Sequence, residues 1–215
     1  MARQPLWHDD YWLLLMQLYL KSPVGVKPLY SRGLVDLAME LHLHPAYLHR
    51  MMERLDGIET PRIKAMLERY SNNRRRLARD VEKRRGMEGF GDPLSFYEGV
   101  EVNESFETRF KPLPGHEPVT EVMLVIVLDL YYRLTPQTMA VETPEVAETA
   151  KLLKIPAALV VKAMRAYCLC DPCIRARGKE DDSMLEPCRK VWNDYADADP
   201  TELAAMAAEL KEYYR

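Results

Sequence analysis

The chain has 215 residues, 47% hydrophobic and 29% charged, with 15 Pro and only 9 Gly, a composition that excludes disordered, collagenous and disulfide-stapled miniature classes. Thirty Lys and Arg face 33 Asp and Glu, a net charge of −3, so the chain is no uniformly basic nucleic-acid binder and any cationic surface must be local. The longest apolar run, 122–128, ends at Asp129, short of the ~18 residues of a membrane span. No signal-peptide stretch opens the chain, and its four Cys read as reduced thiols, so the expected compartment is the cytoplasm, with no membrane partner.

Asp9 or Asp10 can cap a first helix running to about Lys21, with Leu14, Leu15, Leu18 and Tyr19 at the spacing of a buried stripe. Pro23 and Pro28 end it. Ser31 caps a second helix whose inward face is Leu34, Leu37, Ala38 and Leu41, and Pro45 opens a third with Leu48, Met51, Met52 and Leu55 inside. Thr60 and Pro61 start a fourth. A fifth spans 74–85, anchored only by Leu77 and Val81. Residues 87–118 then carry Gly89, Gly91, Gly99, Gly115 and four Pro, and read as a linker or lid. Phe90, Phe96, Tyr97, Phe106 and Phe110 in this stretch include every Phe of the chain and require something to pack on. Val100 and Val102 alternate with Glu101, which permits one short strand there. Further helices start at Thr120, Thr143-Pro144, Pro156, Pro187 and Asp199-Pro200.

The same order of starts returns because the chain repeats itself. A shift of 112 residues lays Leu18 and Tyr19 on Leu130 and Tyr131, Ala38 on Ala150, Leu41 on Leu153, Leu43 on Ile155, Leu48 on Val160 and Met52 on Met164. A shift of 125 then lays Ile63, Met66, Leu67 and Tyr70 on Cys188, Val191, Trp192 and Tyr195. The expected fold is all-α, an internally duplicated helical repeat. Its parts are a first repeat at 1–86, an acidic aromatic-containing linker at 87–117 and a second repeat at 118–215.

Within each repeat, Leu37, Ala38, Leu41, Leu43, Leu48 and Met51, or their equivalents around Ala150, form one apolar pattern. It resembles the skeleton of the helix-turn-helix superfamily, in which a small residue sits where two helices touch and apolar residues bracket the turn. The chain departs from that pattern with His42 and Lys154 where the family favours Gly, and no wing follows. The resemblance implies a trihelical unit plus two further helices in each copy. It also implies that the third helix would enter a major groove, presenting Tyr47, His49, Arg50 and Arg54 in the first copy and Ala158, Val161, Lys162 and Arg165 in the second, where the set is poorly equipped to read bases and Val161 and Ala158 are more like a packing face.

The basic segment 62–85 points the same way. Ten Lys and Arg stand there against Glu68, Asp80 and Glu82, for +7. A phosphate backbone rewards one such cationic face, which makes Arg74, Arg75, Arg76, Arg79, Arg84 and Arg85 candidate contacts to DNA or another polyanion. Residues 87–121 carry −6, so pairing of these arginines with linker acids such as Glu98, Glu101, Glu104 and Glu107 is the competing expectation. A non-catalytic helical scaffold for a protein partner is the alternative function. No phosphate loop, nucleophile elbow or zincin motif occurs, so neither an enzyme nor a cofactor is expected. Cys168, Cys170, Cys173 and Cys188 have poor zinc spacing and read as small hydrophobes, and His42, His44 and His49 read as exposed or capping residues, with no metal.

Overall fold

Capping oxygens and prolines decide where these helices begin, and the computed structural model, which describes residues 7–87, 90, 106–174, 183–196 and 198–215, shows which of them act. The first set is α1 (Tyr11–Tyr19), α2 (Arg32–Glu40), α3 (Pro45–Asp56), α4 (Pro61–Tyr70) and α5 (Arg74–Arg85). The second is α6 (Glu107–Phe110), α7 (Glu121–Arg133), α8 (Pro144–Leu153), α9 (Ala157–Cys170), α10 (Leu185–Tyr195) and α11 (Pro200–Lys211). The class is all-α: among the described residues the only extended pairing is an isolated bridge between Pro112 and Thr120. Val100 and Val102 lie outside the described residues. No described helix is long and apolar enough to cross a membrane. Two compact units emerge, Met1–Glu104 and Ser105–Arg215, so the segment expected as a linker divides between them.

In the first unit α1 packs on α2, α3 and α5. Leu14, Leu15, Leu34, Leu48, Met52 and Leu55 fill its core, and Leu77 and Val81 anchor α5. Thr60 Oγ1 accepts from the Ile63 N–H at 3.3 Å and Asn73 Oδ1 from the Arg76 N–H at 3.0 Å, satisfying amides that their helices leave open. Two expected caps do other things. Asp10 reaches Arg84, and Ser31 Oγ is buried without a partner among the described residues. α1 also stops at Tyr19 rather than Lys21. The buried Lys27 Nζ donates to the Lys21 carbonyl at 2.8 Å and to that of Pro23, and burial pulls its pKa down.

In the second unit α7 is buried almost all round and packs on α8, α9, α10 and α11. Thr120 Oγ1 caps it, accepting from the Met123 N–H at 3.3 Å. Tyr167, fully buried, donates its hydroxyl to the Leu124 carbonyl at 2.9 Å. α8 starts at Pro144 as expected, yet the Thr143 hydroxyl donates backwards to the Thr138 carbonyl at 2.6 Å instead of capping the helix. α10 starts at Leu185, ahead of Pro187. Phe106 and Phe110 are buried, and the Phe110 ring meets Tyr213 at 5.0 Å. These two aromatics belong to this unit.

The turns that the helix-turn-helix pattern singles out close in one way. His42, at φ 52, donates its N–H to the Met39 carbonyl at 3.3 Å, and Leu43 donates to Ala38 at 3.0 Å. Lys154, at φ 57, donates to Lys151 at 3.3 Å, and Ile155 donates to Ala150 at 3.1 Å. Both are left-handed helix stops with crossed backbone bonds. Ala38 and Ala150, 0% and 5% exposed, sit beneath them. The missing glycines therefore do not open the turns; two L-residues adopt the conformation that glycine would take.

Candidate nucleic-acid interface

The face expected to read bases is largely occupied. Tyr47, half-buried, leans on Trp7 with ring centroids 6.1 Å apart, and the Arg50 guanidinium lies 5.8 Å from its ring centre. His49 Nδ1 stands 3.7 Å from Glu53 Oε1. Arg54 Nε donates to Glu59 Oε2 at 2.7 Å. Arg50 thus remains the one fully exposed cation of α3 without a carboxylate partner among the described residues. On α9 Val161 is 5% exposed and belongs to the core, as expected of a packing face, where its apolar side chain joins the packing of α9 within its unit. Ala158 and Arg165 are exposed, and Lys162 is half-buried.

The basic segment separates into two populations. Arg62 reaches Asp9 at 2.5 Å, Arg84 reaches Asp10 at 3.2 Å, and Arg85 grips both Glu40 oxygens at 2.6 and 2.8 Å. That fork raises the Arg85 pKa, the Glu40 hydrogen bonds being the main cause. Arg76 stands 3.9 Å from Asp80, which also accepts the Tyr70 hydroxyl at 2.9 Å. Burial, then this hydrogen bond, pushes the Tyr70 pKa up. These contacts tie α5 to α1, α2 and α4 where Leu77 and Val81 alone would hold it weakly. Among the described residues the partners are thus acids of the first unit, Asp9, Asp10, Glu40 and Asp80. Glu98, Glu101 and Glu104 lie outside the described residues, as does the Glu107 side chain.

Lys64 on α4 and Arg74, Arg75, Arg79 and Lys83 on α5 form the second population, all exposed and without an ion-pair or hydrogen-bond partner among the described residues. Arg75, Arg79 and Lys83 stand four residues apart on one stripe of α5. Like charges so spaced destabilise a helix by about 0.2–0.5 kcal/mol per pair. Arg74, Arg75 and Arg76 occupy the first turn, which holds no acid and where the helix dipole disfavours cations by roughly 0.3–1 kcal/mol each. An anion laid along the stripe would relieve both penalties.

The clamps Asp9, Asp10 and Glu40 escaped the sequence reading because their partners lie 53, 74 and 45 residues away. The one available sign was their place beside helix ends.

The histidines hold separate posts. His44 Nδ1 accepts from the Ala46 N–H at 3.2 Å to cap α3, His42 makes the turn, and His49 faces Glu53. Cys188 is fully buried, as its match to Ile63 anticipates, while Cys173 is exposed. Burial pushes the thiols of Cys168 and Cys170 above their usual pKa. Compared with known proteins, the chain matches no family model, no curated protein and no solved structure.

Proposed function

We propose that the chain is a nucleic-acid-binding regulatory protein, built from two diverged helix-turn-helix-like units and acting by binding rather than catalysis. The observation that carries the reading is the exposed set Arg74, Arg75, Arg79 and Lys83, unpartnered among the described residues, on a helix whose remaining arginines are paired. Duplication is supported by the matching left-handed stops at His42 and Lys154 and by the starts of α3 and α9, all 112 residues apart. A further parallel is that Tyr19 donates to Asp56 at 2.6 Å and Tyr131, at the equivalent position, to Asp171 at 2.8 Å. Fluorescence anisotropy with labelled DNA across a salt series tests the function. Binding that weakens steeply with salt supports it, and no binding at low salt or a flat response overturns it.

A second reading, a scaffold for a protein partner, draws on exposed Tyr132 and Val141, 41% and 45% accessible, in the second unit. It calls for protein binding that is insensitive to salt.

A further inference from the structure

We infer that the α5 site takes the phosphate backbone of a nucleic acid without reading its bases, through a footprint of three cations, Arg75, Arg79 and Lys83. The inference rests on the nucleic-acid reading above and narrows it. Of the ten Lys and Arg between residues 62 and 85, Arg62, Arg84 and Arg85 already have carboxylate partners at 2.5–3.2 Å. Arg69 lies 5.3 Å from the Tyr70 ring centre. A cation already neutralised by an internal carboxylate displaces few of the counterions condensed on a nucleic acid, so it adds little to phosphate binding.

Arg76 stands 3.9 Å from Asp80, Lys64 lies on α4, and Arg74 is turned about 100° from Arg75 around α5, which leaves Arg75, Arg79 and Lys83 as a stripe with the geometry of a line. Each step of four residues rises about 6 Å along the helix and drifts about 40° around it, so the three charges run along one side of α5 over about 12 Å. Successive phosphates of one strand present the complementary line. Glu82 and Arg76 flank that side, and α5 carries neither Asn nor Gln, so it lacks the amide pairs that read adenine. The Glu82 carboxylate also opposes insertion between two phosphate walls. On α3, Glu59 holds Arg54 and Glu53 faces His49, which leaves the expected base reader with Arg50 alone. Position and charge are therefore supplied by α5, and on the described part of α3 only Arg50 is left for contact with a base.

The number of engaged phosphates sets the salt response. Three give a slope of log affinity against log salt of about −2.7 on duplex DNA, whereas engagement of all ten cations would give about −9. The experiment measures anisotropy with two duplexes of unrelated sequence over a salt series, for the wild type, the triple variant Arg75→Gln, Arg79→Gln, Lys83→Gln, and the pair Arg75→Lys, Arg79→Lys. We expect a slope near −2.7 on both duplexes and affinities within about twofold of each other. The Gln variant should lose binding with no fall in melting temperature, and the Lys variant should bind as the wild type does, since a line of point charges does not need a guanidinium fork. A slope near −9, a preference of about tenfold between duplexes, loss of binding in the Lys variant, or wild-type binding by the Gln variant overturns this inference and leaves the broader reading standing. Absence of wild-type binding to either duplex at low salt overturns both.

Discussion

Replacing Lys154 by glycine should stabilise the second unit. Lys154 is exposed and holds φ 57, ψ 38 at the end of α8, a conformation that costs an L-residue about 1–2 kcal/mol. Its structural contribution is backbone only: its N–H donates to Lys151 at 3.3 Å, while Ile155 donates to Ala150 at 3.1 Å. Glycine keeps both bonds and removes the strain, but its freer unfolded chain takes back about 0.5–1 kcal/mol. The net gain is about 0.5–1 kcal/mol, or about 2–4 °C in melting temperature for a unit of this size. Thermal and urea unfolding followed by circular dichroism measure it, with Lys154→Ala as the control that deletes the side chain and keeps the strain. A fall in stability for Lys154→Gly, or an equal rise for Lys154→Ala, would refute the argument that these turns store left-handed strain.

Ala150→Leu should cost about 1–3 kcal/mol by overpacking the site beneath that turn, seen as a lower urea midpoint, and Ala38→Leu should do the same in the first unit; wild-type midpoints would deny that these alanines sit at close helix contacts. A double-mutant cycle on Arg85 and Glu40 should give a coupling of about 0.5–1 kcal/mol, the worth of a partly exposed bidentate pair; a coupling near zero removes the clamp from the account of α5. Tyr214 is pushed up to about 12, mainly by burial, from an ordinary 10.0. Its folded pKa exceeds the unfolded one, so the stabilisation is complete below pH 10 and is lost as pH rises toward 12. Tyr214→Phe should therefore flatten the alkaline limb of stability against pH, and an unchanged limb would place that loss elsewhere.

The helices themselves were legible in the sequence wherever a start is chemically local. Thr60, Thr120 and Asp199 each place an oxygen within reach of an amide two or three residues ahead, and a capping oxygen needs no distant partner. The apolar spacing around Leu34, Leu48, Leu77 and Val81 is likewise local, and all four are buried. The 112-residue spacing between His42 and Lys154 could be read from the apolar residues on either side, since turn geometry follows from what must be buried before and after it.

Tertiary structure alone decided what the charges do. The same arginine type on the same helix is a clamp at Arg85, because α2 delivers Glu40 to it, and an open cation at Arg79, because no described acid lies opposite. Likewise Asp10 and Thr143 occupy cap positions, yet Asp10 turns to Arg84 and Thr143 to the Thr138 carbonyl. Val161 and Ala158 both read as a packing face, yet only Val161 is buried, since on α9 that depends on which face the neighbouring helices cover. Burial patterns repeat with the period of a helix and can be read from one strand of text. Charge pairing is set by which helix ends meet across 45 to 74 residues of chain, and no local pattern encodes that meeting.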